Sequence, residues 1–290
     1  MMKKLKRIIV GIDISEKSNN VLKRALIIAK ENKADLFVVH AVSTPWLSIP
    51  SYFASKELVI DKEGIQKTIE KKIKALNKDT NVSSFVFVKE GDADNVLLYA
   101  AKLHQADMIV LGAHSKAKGR KSFLGTTAHK VAHQSHLPVL IVKKTAKQPY
   151  KNIVAPTDFN LQSKQSILFA KNIFPTSKID IVNAFETVYI VDGPYATVGY
   201  DLLEYNKVAK NSANRNMKNF IKDVSVKKGK VIDGEFNAKE ELIKYLNKGS
   251  YDLVVVGSRG TVGFNALHGG VSTYILRETK SDVLVYVPVD

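Results

Sequence analysis

Short runs of apolar, β-branched residues alternate along this chain with longer segments whose apolar positions recur every three or four residues. In the first half the runs lie near Arg7–Ile12, Asp35–Val42, Val82–Lys89, Asp107–Gly112 and Pro138–Lys143. This is the pattern of βα units laid on a parallel sheet. The first helical segment opens at Ser15, a residue suited to cap a helix, and puts Val21, Leu22, Ala25, Ile28 and Ala29 on one face. Its counterpart in the second half opens at Asn160, buries Ile167, Leu168, Ala170 and Ile173, and stops before Pro175. Two more helices per half follow the second and third strands, and a last one starts after Gly125 or Gly270. The expected fold is α/β: two tandem doubly wound domains, each with a five-stranded parallel sheet and four helices.

The two halves are copies. Asp13, Asp107, Gly112 and Gly125 recur as Asp158, Asp252, Gly257 and Gly270, each at an offset of 145 residues. A constant offset over four positions marks a tandem repeat, which places domain 1 at residues 1–145 and domain 2 at residues 150–290. The junction from Lys144 to Tyr150 is short and polar, so the domains are expected to pack together.

Charge separates the copies. Residues 1–148 hold 26 Lys and Arg against 13 Asp and Glu, a net +13, whereas residues 149–290 hold 18 against 15, a net +3. A basic surface favours phosphate-bearing ligands, nucleic acid or anionic membrane without choosing among them. Part of this charge (Lys71, Lys72, Lys74 and Lys78) falls on a helix expected over Lys67–Lys78, where a solvated face is the simplest account. The absence of cysteine excludes disulfides, thiolate catalysis and cysteine-based zinc sites. No apolar run approaches 18 residues, so no membrane span is expected and a cytoplasmic location is the default.

Candidate chemistry gathers where first and fourth strands end. In an open parallel sheet, ligands sit outside the carboxyl ends of the strands where strand order reverses. If strands one and four are neighbours there, Asp13 meets Gly112 and Asp158 meets Gly257. After the fourth strand the first half reads Gly112, Ala113, His114, Ser115, then nine residues, then Gly125, Thr126, Thr127. The second half reads Gly257, Ser258, Arg259, Gly260, nine residues, then Gly270, Val271, Ser272. Glycines admit backbone N–H groups close to an anion, and the helix that follows points its positive end at the same place. Neither a Walker A loop nor a dinucleotide fingerprint is present.

With these residues in view the chain resembles a tandem universal stress protein, over nearly its whole length. The nucleotide-binding members of that family carry Gly-x2-Gly-x9-Gly-(Ser/Thr) after the fourth strand and an Asp at the end of the first. The resemblance implies an adenine nucleotide alpha hydrolase-like fold and an adenine nucleotide, ATP, alone or with Mg, as cofactor. Asp13 and Asp158 would bond its base or ribose side. Gly112, Ser115, Gly125, Thr126 and Thr127 would hold phosphates in one half, and Gly257, Gly260, Gly270 and Ser272 in the other. Each half departs once from the pattern: Ser115 replaces the second glycine of the first, and Val271 stands where a hydroxyl is expected in the second. Lys116, Lys118, Arg120 and Lys121 make the first loop basic, while the second has no basic residue between its glycine pair and Gly270. The resemblance also implies antiparallel pairing of the last strands, Val139–Val142 and Val283–Val287, as a pseudo-dimer within the chain. A homodimer through other surfaces stays compatible.

Other clusters carry less. His129 and His133 share a helix face, with His136 nearby, but no further metal ligand is placed with them. His40 ends the second strand near the crevice, open to a ligand contact or to packing, and His114 and His268 lie in the glycine loops. No catalytic constellation converges, so binding without efficient turnover is expected, with slow ATP hydrolysis still compatible. The expected function is a stress-response regulator responsive to nucleotide and acting on an unidentified protein partner. The alternative is an interaction module independent of nucleotide, associated with nucleic acid through the basic half, although the basic and aromatic interleaving of a single-strand groove is missing. The segments 44–53 and 188–195, rich in proline and large apolar residues, are candidate lids or interface covers.

Overall fold

The structure is a computed structural model and describes residues 4–42, 60–78, 80–113, 124–187, 199–234, 237–258 and 270–288. In the first repeat β1 (Arg7–Gly11), α1 (Ser18–Asn32), β2 (Asp35–Val42), α2 (Lys62–Leu76), β3 (Ser84–Glu90), α3 (Ala93–Leu103), β4 (Met108–Gly112), α4 (Thr126–Gln134) and β5 (Val139–Val142) follow one another. The second repeats the order with β6 (Asn152–Pro156), α5 (Leu161–Ile173), β7 (Lys178–Phe185), α6 (Gly199–Asp223), β8 (Lys228–Asp233), α7 (Ala238–Lys248), β9 (Leu253–Gly257), α8 (Val271–Glu278) and β10 (Asp282–Tyr286).

All ten strands join one sheet in the order β3-β2-β1-β4-β5-β10-β9-β6-β7-β8. Every neighbouring pair is parallel except β5 with β10, which run antiparallel with Leu140 opposite Leu284. The internal pseudo-dimer implied by the family resemblance is therefore formed. Helices cover both faces, as a parallel sheet requires. Ile8, Val10 and Leu36 point to α1 and α2, and Ile9, Val39 and Ile109 to α3 and α4. Both core layers continue without a break into the second repeat, through Ile153 and Val255 on one face and Val154 and Val256 on the other.

Three local expectations need correction. Helix α1 starts at Ser18 with Lys17 before it and no side-chain cap, because Ser15 turns its hydroxyl onto Asp13 instead. Helix α2 begins five residues earlier than Lys67, since Asp61 accepts the Gly64 N–H at 2.8 Å and caps it. Leu168 is half-buried, while Ile167, Ala170 and Ile173 are fully enclosed. The cap at Asn160 is as expected, accepting the Ser163 N–H at 2.8 Å.

The seam between repeats holds a buried polar cluster. Asp282 is 0% exposed and accepts the Lys143 and Lys144 N–H groups at 2.7 and 2.8 Å and the Tyr150 hydroxyl at 2.6 Å. Arg24 of α1 lies 3.5 Å from the same carboxylate, stacks 3.8 Å from the Tyr150 ring centre and donates to the Gln148 carbonyl at 2.9 Å. The junction read from sequence as a polar linker is thus partly core. Its phenol has its pKa pushed well up, by burial first and then by the charge of Asp282.

Candidate functional site

The four landmark positions divide between the two ends of the sheet. Asp107 and Asp252 lie at the amino ends, where each accepts two consecutive backbone N–H groups: Lys6 and Arg7 at 2.8 and 2.9 Å, Lys151 and Asn152 both at 2.9 Å. These acids pin the entry of β1 and β6. The other landmarks lie at the carboxyl ends, because β1 pairs with β4 and β6 with β9. Strand order reverses at both places, which is where a doubly wound sheet offers a crevice.

In the first crevice the chain leaves β1 and turns at Asp13. Its Oδ1 accepts the Ser15 N–H at 3.0 Å and the hydroxyls of Ser15 and Ser18, both at 2.5 Å. The Asp13 N–H returns a bond to the Ser18 hydroxyl at 3.1 Å. His40 on β2 holds the preceding residue, with Nδ1 2.9 Å from the Ile12 carbonyl oxygen. A carbonyl only accepts, so Nδ1 carries the hydrogen. In the second crevice Asp158 takes the Ser163 hydroxyl at 2.6 Å, and Asn183 donates to the Thr157 carbonyl at 2.8 Å. Ser163 is Ser18 displaced by 145, and Asn183 stands on β7 where His40 stands on β2. His40 therefore has a packing and hydrogen-bonding role that the second repeat assigns to an amide.

On the β4 side, the Gly125 N–H donates to the Ala113 carbonyl at 2.7 Å, bringing the two flanks of the glycine loop together. Helices α4 and α8 open after Gly125 and Gly270 with no side-chain cap, so their first N–H groups face outward at the positive end of each helix. Gly257 is also needed for packing: a Cβ there would lie 2.9 Å from the Gln162 carbonyl oxygen. The Ser272 hydroxyl donates to the Gly257 carbonyl at 3.1 Å, a bond within its own crevice wall. Ser115, Gly260, His114, His268, the basic residues of the first loop and the candidate lids 44–53 and 188–195 lie outside the described residues.

The crevices differ in size and in wall. The first is a cavity of about 1040 Å³ that includes Asp13, Gly112, Gly125, Thr126 and Thr127. The second, about 370 Å³, includes Asp158, Gly257, Gly270 and Ser272. A cationic wall that the sequence did not suggest closes the first: Lys143 and Lys144 after β5, and Arg277 and Lys280 from the end of α8. Lys143 donates at 2.7 Å to both the Leu276 and Thr279 carbonyls, fastening its strand to the last turn of α8. Burial lowers its pKa to about 8, against the pull of Asp282 and Glu278. The His129 and His133 rings sit 4.2 Å apart on α4, and burial together with the Arg277 charge lowers the pKa of His129.

Two doubly wound units that share one sheet, each with an aspartate and an uncapped helix start at its strand-order reversal, define a tandem α/β fold. The chain belongs to the universal stress protein family, whose sequence profile, described as "Universal stress protein family", matches residues 4–143 and again 149–287. Universal stress protein MJ0531 of Methanocaldococcus jannaschii is 32% identical over 146 residues, 49% of this chain and 85% of that protein. Among solved structures, a functionally unknown protein of Pseudomonas aeruginosa PAO1 matches over 99% of this chain and 94% of its own, with a TM-score of 0.74 and 16% identity. A universal stress protein of Archaeoglobus fulgidus DSM 4304 matches over 97% of each chain, with a TM-score of 0.66 and 18% identity. These structural likenesses show the fold. No helix among the described residues is long and apolar enough to cross a membrane.

Proposed function

We propose that this chain is a stress-response regulator that binds an adenine nucleotide, ATP, in the first crevice and does not turn it over efficiently. The observation that carries the reading is the single cavity of about 1040 Å³ that joins Asp13 to the open start of α4. A cavity of that size accommodates a cofactor. The Asp13 carboxylate would accept hydroxyl or amino groups of the nucleoside, while the Thr126 and Thr127 hydroxyls and the first N–H groups of α4 would take the phosphates. No group of three His, Asp or Glu among the described residues is placed to hold a metal. Magnesium would therefore arrive with the nucleotide, held by phosphate oxygens and water.

In the second crevice the same roles would fall to Asp158, Gly257, Gly270 and Ser272, which line about 370 Å³ with Val271 at the helix start, and Gly260 would join them by the family pattern. Asn160 already donates to the outer Asp158 oxygen at 2.8 Å. One nucleotide per chain, in the first repeat, is the stoichiometry this supports, with domains at 1–145 and 150–290 working as unequal partners in the cytoplasm.

The test is mass spectrometry of small molecules released from the purified protein, followed by titration with Mg-ATP. Near one nucleotide per chain is expected. No released nucleotide and no uptake of Mg-ATP would leave the glycine loops as structural relics and the chain as an interaction module.

A further inference from the structure

The wall of the first cavity is assembled from both repeats. Asp13 and Thr126 belong to the first, while Arg277 and Lys280 come from the end of α8 in the second. The antiparallel β5–β10 pairing causes this. It sets the carboxyl end of β5, which borders the first crevice, beside the amino end of β10, where α8 has just finished. Lys143 then ties the two together through the Leu276 and Thr279 carbonyls. The second cavity has no such visitor: all its described lining residues come from the second repeat.

Charge gives the shared wall a chemical direction. Arg277 and Lys280 are exposed on the cavity side of the seam, and Lys144, which also lines the cavity, donates to the Tyr251 carbonyl at 2.7 Å. The acid on this wall, Glu278, lies close enough to Lys143 to act on its titration, so one of the basic groups offsets it. A wall with excess positive charge across from an aspartate suits a ligand that is neutral or cationic at one end and polyanionic at the other.

We propose that the phosphates of a nucleotide in the first crevice are held in part by Arg277 and Lys280 of the second repeat, so that the first site is complete only when the two repeats are docked. This rests on the nucleotide reading given above. It gives the second repeat a task beyond its own smaller crevice. Binding in the first repeat strengthens the seam, and by reciprocity a tighter seam raises affinity for the nucleotide.

The test is Mg-ATP titration calorimetry on the full chain in three forms: unchanged, Arg277→Ala with Lys280→Ala, and Arg277→Lys with Lys280→Arg. Both positions are exposed, so the fold should tolerate the changes. The alanine pair is expected to weaken ATP binding roughly tenfold or more, as loss of charge-assisted phosphate contacts does, and the charge-conserving pair to restore most of it. An alanine pair that binds as tightly as the unchanged chain overturns the inference and leaves the nucleotide reading intact. A charge-conserving pair as weak as the alanine pair also overturns it, since shape rather than charge would then be responsible. An unchanged chain that binds no ATP removes both.

Discussion

The two repeats keep their element order, their apolar core layers and their strand ends, and they differ on their outer faces and at the seam. Asp13 with Ser18 and Asp158 with Ser163 make the same turn, and Asp107 and Asp252 accept the same pair of backbone groups. The outer faces have separated completely. The first repeat stacks Phe37 on Phe85 and His104, at 5.2 and 4.6 Å, with Tyr99 and Leu103 exposed beside them. At the matching register the second repeat has Asp180 and Lys228, 3.5 Å apart, and Lys230 lies over Tyr245. A turn that must satisfy several backbone and hydroxyl groups tolerates few residues, whereas a half-exposed face needs only to be compatible with water.

The seam shows the same inequality around the local two-fold axis. On one side Arg24, Tyr150 and Asp282 form a buried charged cluster. At the matching offset Arg24 becomes Phe169, which packs 5.2 Å from Tyr286, and Asp282 becomes Leu137. Removing one partner of a buried ion pair strands the other charge, so Asp282→Ala should cost about 3–5 kcal/mol in urea unfolding. Adding Arg24→Met to that variant should recover part of the loss, as no unpaired charge is left inside. If the single variant loses under 1 kcal/mol, the two sides of the seam are energetically alike.

Ligand binding sharpens the contrast between crevices. Asp13→Ala should weaken ATP binding roughly 10- to 100-fold, the worth of hydrogen bonds to a charged acceptor, while Asp158→Ala leaves affinity and stoichiometry unchanged. Equal losses from both in calorimetry would show that the crevices work alike despite their volumes.

Lys143 has no titrating counterpart, since Pro288 occupies the matching position. Its folded pKa of about 8 lies below the ordinary 10.5. Below pH 8 both states hold the proton and the folded state bears the full cost of burying it. Between 8 and 10.5 the unfolded state alone holds it, so stability rises with pH. A gain of about 2 kcal/mol from pH 7.5 to 9.5 is expected in the urea midpoint analysis, and Lys143→Met should flatten that slope.

The smallest effect concerns the helix starts. Asn160 caps α5 through the Ser163 N–H, but Lys17 offers α1 no side-chain bond. Asn160→Ala should cost about 1 kcal/mol and Lys17→Ala nothing measurable by thermal melts. A loss at Lys17 as large as that at Asn160 would remove this difference.

Much of the site was legible because it is local in sequence or fixed by the repeat. The aspartates after the first strands and the helix starts after Gly125 and Gly270 follow from the repeat and its spacing, whereas the pairing of first and fourth strands enters the sequence reading only as a condition, which β1–β4 and β6–β9 meet. The same 145-residue offset applied to Ser18 would have found Ser163, the hydroxyl that fixes each aspartate. Ser15 does not cap α1 because its side chain is turned to donate to the Asp13 carboxylate, a charged acceptor, instead of accepting an N–H of the helix start. Asp61 was missed because its helix is preceded by a segment with no clear period. Tyr150 looked like part of a linker because nothing nearby in sequence shows that Arg24 and Asp282 close over it.

The sequence by itself determined two βα repeats, their parallel sheets and the acids at their strand ends, because apolar periodicity and turn chemistry act over a few residues. Tertiary structure formed the β5–β10 pairing that only the family resemblance implied, and it alone decided that Arg277 and Lys280 stand in the wall of the other repeat's cavity. Those placements join residues more than a hundred positions apart, and only the packed seam brings their charges to one place.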